Sequence, residues 1–504
     1  MPRENEYLFP GLTLPEELVR DLRRMNPWWH GEPQKRLPKS RRHLVAAIHR
    51  RLDARLAPIV AVRGPRQIGK TTAQHHVIQD LLERGVPPKH IFAVQFDDPQ
   101  LLLMRGFSEP IIRLVEWFES AILGRTLNQA AQEGQSAYLI LDEVQNLREW
   151  APQLKSLVDQ ADVQVLVTGS SALRIEAGRD SLAGRVTPIE AGVLSLTEIA
   201  WFYDLDLGRP YLQDNGLDVL KDIEFWRSLR AHGQRMGRER DVVFGRFSER
   251  GGYPLAHQAR DVPWGQIADQ LNDMVVKRVI THDLRIGDRG RKRDPKLLEE
   301  TFRLACRYVG QAPSPANFAE EIRQRQSGNI GVQRVRHYLG FLADSLLIRL
   351  IEPLEIRLKR SRAHAKICLA DHGLRASWLQ EVIPLDAAIL EQHPEMATLA
   401  GRIAESVVGS SLLTVPGLDI AHVPAKADGP EVDFVLNVGD VRIPVEVKYQ
   451  HRIDPVRDPA GLRAFLSRAV NNARFGLLVT RTDAEVVEDL NIVTLPLSTL
   501  LLLR

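Results

Sequence analysis

The chain has 504 residues, 44% hydrophobic and 26% charged, an ordinary globular composition with room for two to four domains. Its 67 basic and 64 acidic side chains leave a formal charge of +3, which excludes a polycationic tail but allows a local basic face. Two cysteines, Cys306 and Cys368, are too few for a disulfide framework and suit a reducing compartment. No stretch approaches about 20 uninterrupted apolar residues, and the start "MPRENEYLFPGLTLPEEL" lacks the order of a secretory signal, so a cytoplasmic location is expected.

In chain order, residues 1–55 read as a helical arm with a basic stretch, "KRLPKSRRH", and a "NPWWH" segment whose tryptophans suit a packing anchor. Residues 56–200 alternate apolar runs ("PIVAVRG", "HIFAVQF", "AYLILDE", "VQVLVTG") with longer helical patterns. Near-continuous Val, Ile and Leu marks strands buried on both faces, hence an α/β core with a parallel sheet under helices. Residues 201–295 read as a mainly helical, charged connecting region broken by "RGGYPLAH", residues 296–385 as helices with a short strand, and 386–504 as a second α/β domain.

Between the first apolar run and the first helical pattern stands "GPRQIGKTT": Gly64, Pro65, Arg66, Gln67, Ile68, Gly69, Lys70, Thr71 and Thr72. This satisfies G-x-x-x-x-G-K-[ST] without mismatch. Its glycines let successive backbone N–H groups turn inward, and the next helix adds its positive end, so a triphosphate is the fitting ligand. Lys70 is expected on the β- and γ-phosphates and Thr71 on Mg²⁺. The run "AYLILDEVQNL" ends in Asp142 and Glu143, costly at a buried strand tip unless they meet a cation or donors. Asp142 fits a Mg²⁺-holding role and Glu143 a base that orients attacking water. At the end of "VQVLVTGSS", Thr168 and Ser170 are both candidates to sense the γ-phosphate. Among Arg174, Arg179 and Arg185, Arg185 is the first choice for an arginine presented to a neighbouring subunit's nucleotide.

Taken together, the cradle, the Asp-Glu strand end and "VTGSSALRI…SLAGR" resemble the AAA+ class of P-loop ATPases. With "NPWW", "FDDP", "RGGYP" and "KICLADHGLR", they resemble more narrowly the prokaryotic ATPases that join such a core to a C-terminal domain of unknown function. The resemblance implies an αβα sandwich, ATP, Mg²⁺ and a homo-oligomer such as a hexameric ring. A long charged insertion near 205–242 departs from that pattern.

Further on, "KLLEETFRLACRYVG", "PSPANFAEEIRQR" and "GVQRVRHYLGFLADSLLIRLIEPL" read as three helices and a strand, the order of a winged helix. In the third helix Val332, Val335, Leu339 and Leu342 share one face, leaving Arg334, Arg336 and His337 to project elsewhere. Near the end, "EVDFVLNVGDVRIPVEVKYQ" reads as a hairpin turning at Gly439-Asp440. Asp433 lies on its first strand, and Glu446 and Lys448 lie two apart on its second, facing the same way. Glu405, on the helical "GRIAESVVGSSLL", can reach that corner. The ordered set Glu405, Asp433, Glu446, Lys448 resembles the PD-(D/E)xK nuclease fold, similar in order to archaeal Holliday-junction resolvases. That resemblance implies a second Mg²⁺ or Mn²⁺. The basic clusters Lys35–Arg42 and Arg289–Arg293 offer phosphate contacts. The expectation is therefore an oligomeric ATPase acting on DNA, with no membrane partner. A nucleotide-controlled switch in signalling or defence that binds a protein, and an ATP-gated nuclease, stand as alternatives.

Overall fold

The computed structural model describes residues 14–34, 36–98, 108–169, 181–212, 216–283, 294–325, 330–355, 363–425, 431–484 and 487–504. The chain divides into two compact units, Met1–Ala191 and Gly192–Arg504, and each is described by itself.

In the first unit five strands form one parallel sheet: β1 (Ile59–Arg63), β2 (Ile91–Gln95), β3 (Ala137–Asp142), β4 (Val163–Gly169) and β5 (Val186–Glu190), ordered β2-β3-β4-β1-β5. β1, β3 and β4 are central and almost wholly buried, as their runs of Val, Ile and Leu require. Helix α1 (Glu16–Met25) carries Glu16 and Glu17 in its first turn and Arg23 and Arg24 in its last, each charge complementing the helix dipole. The following "NPWWH" pins this arm to β2. Trp28 and Trp29 are buried and donate their indole N–H groups to the Ile91 carbonyl at 3.1 and 2.9 Å. Asn26 completes the seam by exchanging two bonds with the Ala93 backbone, at 2.8 and 2.7 Å. Helix α2 (His43–Ala54) packs on α3 (Lys70–Glu83), the helix that leaves the glycine-rich turn, and α4 (Trp150–Gln160) precedes β4.

The second unit holds the three helices read from the sequence: α5 (Pro295–Arg307), α6 (Pro315–Arg325) and α7 (Val332–Asp344). They are followed by an antiparallel pair, β6 (Ile348–Ile351) and β7 (Lys366–Leu369). On α7, Val335, Leu339 and Leu342 are buried, whereas Val332 is exposed. Val332 opens the helix, where no preceding turn covers it, so the apolar stripe starts one turn later than the spacing suggests. Arg334, Arg336 and His337 lie on the exposed side.

Two quoted motifs meet here. Asp371 of "KICLADHGLR" accepts from the Gly252 N–H at 2.6 Å and the Gly373 N–H at 2.8 Å. Gly251 of "RGGYP" sits at φ +71°, and a Cβ there would lie 2.3 Å from Asp371 Oδ1, so only glycine admits the carboxylate.

The last sheet runs β12-β11-β10-β9-β8, from β8 (Asp419–Val423), β9 (Val432–Val438), β10 (Val441–Lys448), β11 (Gly476–Thr480) and β12 (Ile492–Pro496). β9 and β10 form the expected hairpin, with Gly439 at φ +63° in its turn. Helix α8 (Ala397–Leu412) packs against β7 and β10, and α9 (Ala460–Leu466) against β10. Among the described residues no helix is long and apolar enough to cross a membrane.

Candidate functional sites

The first site lies at the C-terminal end of β1. The turn from Gly64 to Gly69 needs left-handed backbone at Gln67 (φ +62°) and Gly69 (φ +87°), and α3 starts directly at Lys70. Gly64 is fixed by close approach: a Cβ would stand 2.5 Å from the Ala191 carbonyl oxygen and 2.6 Å from Ile68 Cδ1. Arg42 braces the turn from outside, donating to the Ile68 carbonyl at 2.6 Å, while Arg41 pairs with Asp80 on α3. These two members of the basic stretch are thus engaged within the unit; Lys35 lies outside the described residues.

Lys70 is buried inside the turn, its ammonium donating to the Gly64 and Pro65 carbonyls at 3.0 and 2.7 Å. Burial pulls its pKa down to about 8, against the opposing pull of Glu143 and Asp142. Arg66 and Gln67 lie at the partly exposed outer part of the loop, and Thr72 is half-buried on the first turn of α3.

Asp142 ends β3 almost fully buried. One carboxylate oxygen accepts from Thr71 Oγ1 at 2.7 Å, and the other from Thr168 Oγ1 and, at 3.0 Å, the Glu143 backbone N–H. Burial raises the Asp142 pKa, as does Glu143, while the Thr168 and Thr71 hydroxyls and Lys70 resist the rise. Glu143 occupies left-handed backbone at φ +51°, and Gln145 donates to its carboxylate. Backbone strain at a non-glycine residue turns this side chain out of the strand's alternation.

Thr168 is completely buried at the tip of β4 and also accepts from Gln74 Nε2 at 3.1 Å. The structure therefore joins Lys70, Thr71, Asp142, Glu143 and Thr168 at the C-terminal ends of three neighbouring strands, β1, β4 and β3. Ser170, Arg174 and Arg179 lie outside the described residues. Gln74 and Gln145 were missed. Gln74 carried a readable signal, four residues after Lys70 on the same helix face.

Mg²⁺ fits this donor set. Thr71 and Asp142 present hard oxygen atoms in mutual hydrogen-bond contact beside the Lys70 turn, the chemistry that such an ion takes.

Arg185 stands elsewhere. It immediately precedes β5, whose first residue, Val186, is in register with Ile59 at the start of β1. The cradle opens from the other end of β1, five residues and about 16 Å along a strand. Arg185 Nη2 instead holds Asp159 of α4 at 3.0 Å.

In the second unit the four nuclease-type candidates do converge. Asp433 on β9 accepts the Val447 N–H at 2.8 Å, and on β10 Lys448 Nζ lies 2.7 Å from Glu446 Oε1. β10 is interior to the sheet and Glu446 is buried, so this is no surface ion pair. Between Glu405 and Asp433 lies a residue the sequence did not flag: Lys366 of β7, whose ammonium contacts Glu405 and stands 3.2 Å from Asp433.

Burial raises the Glu405 pKa, reinforced by Asp433. The same two causes lift Glu446 to about 7, against Lys448. For Asp433 burial acts upward, but Lys366 and the hydrogen bonds outweigh it and hold the carboxyl below its ordinary range. Among the described residues, no three His, Cys, Asp or Glu side chains are grouped to hold a metal ion. With an ammonium among its acids, this cluster does not fit the second divalent cation that the resemblance implies. The cluster Arg289–Arg293 lies outside the described residues.

Comparison with known proteins separates the two parts. Residues 57–200 match the family model described as an AAA domain, and residues 244–382 match a domain of unknown function (DUF8612). An uncharacterized protein of Mycobacterium tuberculosis and one of Mycobacterium bovis are each 23% identical over 373 residues, 73% of this chain. The chain spans 65% of the length of these relatives. Among solved structures, Cdc6p from Pyrobaculum aerophilum is 13% identical with a TM-score of 0.26, covering 69% of this chain and 96% of its own. A closed-state reconstruction of Hsp104 with a nucleotide analogue and casein is 14% identical with a TM-score of 0.27, covering 62% and 50%. The parallel sheet, the glycine-rich turn and the family match give residues 57–200 the α/β fold of a P-loop AAA domain.

Proposed function

We propose that the chain hydrolyses ATP in its first unit and works on DNA through its second, as a homo-oligomer. One observation carries the reading: Thr71, Asp142 and Thr168 are linked by hydrogen bonds directly beside the Lys70 turn. Nothing in a plain strand-to-loop exit demands two hydroxyls and an ammonium around a buried carboxylate, whose desolvation costs several kcal/mol when unpaired.

In this reading the N–H groups of Gly64, Pro65, Arg66, Gln67, Ile68 and Gly69 and the Lys70 ammonium bind the triphosphate, with Thr72 beside them. Lys70 exchanges its two carbonyl partners for phosphate oxygens. Thr71, backed by Asp142, holds Mg²⁺, which neutralises phosphate charge. Glu143, steadied by Gln145, orients the water that attacks the γ-phosphorus, and the bond to the β-phosphate oxygen breaks to give ADP and phosphate. Thr168, sharing Asp142 with that centre, changes partners when the γ-phosphate leaves; Ser170 is the second candidate for this role.

Arg185 is too far from its own cradle to act there, so it serves a neighbouring subunit, which is the argument for an oligomer. DNA is assigned to the second unit because α7 buries one face and exposes Arg334, Arg336 and His337 on the other, in a three-helix-plus-hairpin order that suits a winged helix.

The test is phosphate release measured with no DNA, single strands, duplex and a four-way junction, with Glu143→Gln as the inactive control. Stimulation of several-fold, falling as salt rises, is expected. Indifference to every DNA form removes the DNA assignment. Failure to bind Mg²⁺-ATP removes the whole reading.

A further inference from the structure

The acid cluster of the second unit contains its own cation. Lys366 reaches it from β7, a strand of the hairpin that follows α7, whereas Glu405, Asp433 and Glu446 come from α8, β9 and β10. The strand is held in place: the Leu369 N–H donates to Ser406 Oγ of α8 at 2.8 Å, and β7 is buried along its whole length. A Cβ at Gly409 of α8 would stand 2.7 Å from Cys368 Sγ, so glycine is what lets helix and strand approach.

The Lys366 side chain is 6% exposed. Its ammonium meets Glu405, Asp433 and, 5.0 Å from the ring centroid, the face of Phe434. His422, nearby, donates its Nε2–H to the His364 carbonyl at 3.0 Å and completes the polar wall. On the far side Lys448 answers Glu446 Oε1, while Glu446 Oε2 is buried without a hydrogen-bond partner.

We infer that Lys366 takes the position a divalent cation would occupy, making this a nuclease-like centre that is neutralised from within and binds no catalytic metal. Removing the ammonium leaves Glu405 and Asp433 without their cation, and their oxygens, with Glu446 on the neighbouring strand, are then free to close on a hard divalent ion. The same lysine ties the hairpin after α7 to the C-terminal sheet. The inference is independent of the ATP and DNA assignments, because it concerns charge balance in a separate cluster.

The experiment is Mn²⁺ binding to the nucleotide-free full chain, read by electron paramagnetic resonance and by melting temperature. Asp433→Asn identifies ions held at this cluster rather than at Thr71. The unsubstituted chain should show no Asp433-dependent Mn²⁺ site up to millimolar metal. Lys366→Met should melt lower, gain one such site, recover part of its melting temperature with Mn²⁺, and lose both effects in the Lys366→Met/Asp433→Asn double variant. An Asp433-dependent ion in the unsubstituted chain overturns the inference, and so does a folded Lys366→Met chain that gains none. Lys366→Gln, which keeps a polar group, repeats the test should the methionine variant not fold. If neither folds, the unsubstituted chain against Asp433→Asn decides alone: a difference in bound Mn²⁺ refutes the inference, and none supports it.

Discussion

Thr168→Val probes the first site most sharply, because it keeps the side chain's shape and removes only a hydroxyl. That hydroxyl donates to Asp142 and accepts from Gln74 at 3.1 Å, in a spot with no exposed surface. A hydrogen bond to a charged partner contributes about 1.5–3 kcal/mol, and Gln74 is left with an unmet donor besides. If the loss is felt entirely in how Asp142 is held during turnover, kcat falls by about 10- to 150-fold.

The pH profile adds a readout of the same bond. The Thr168 hydroxyl resists the rise that burial imposes on the Asp142 pKa, so its removal raises that pKa further. The carboxylate then protonates at higher pH, and the acid limb of the ATPase profile moves upward. Steady-state phosphate release across pH, with ATP affinity measured separately, checks both effects. Thr168→Ser should restore most of the rate. A folded Thr168→Val chain with unchanged kcat and an unmoved acid limb would refute the role given to Thr168.

Gly64→Ala drives a methyl into the Ala191 carbonyl, and overpacking of this kind costs about 1–3 kcal/mol. Lower melting temperature together with weaker ATP binding is expected; a variant that matches the parent in both shows that the turn can shift. Arg185→Ala should abolish turnover while leaving ATP affinity intact, and mixing it with a Lys70→Ala chain should restore activity only if the two residues act across subunits. Full activity of Arg185→Ala alone would end its assignment. In the second unit, burial holds the His257 pKa down to about 4, despite its bond to the Gly251 carbonyl, with Arg250 and His372 acting the same way as burial. Between the unfolded value near 6.5 and that folded value, the unfolded chain binds the extra proton. Stability is therefore lost as pH falls through this window, by about 3 kcal/mol in all. Denaturant titrations at stepped pH should show this slope, and it should flatten in His257→Gln, which keeps a donor without titrating near neutrality.

What could be read locally was read from spacing. The glycine-rich turn, the strand ending in Asp142 and Glu143, the helices after residue 295 and the hairpin around Gly439 each announce themselves within a few residues. Hydrophobic period and turn chemistry are local properties, and they carry such elements without help from distant parts of the chain. The cradle's membership was legible for the same reason, since the phosphate-binding turn is one continuous segment.

Tertiary structure decided everything that joins remote positions. No spacing rule places Gln74 on Thr168, or Arg42 under Ile68, or the Asp371 carboxylate on the glycines at 251 and 252. Arg185 was read from its place after these motifs as an arginine for a neighbouring subunit's nucleotide; only strand register puts it at the end of the sheet opposite its own cradle. The largest change concerns Lys366. Its neighbours in sequence are ordinary strand residues, and only the docking of β7 on α8 carries its ammonium into the acids at 405 and 433. Charge neutralisation in a buried site depends on distance through space, and sequence order alone does not encode it.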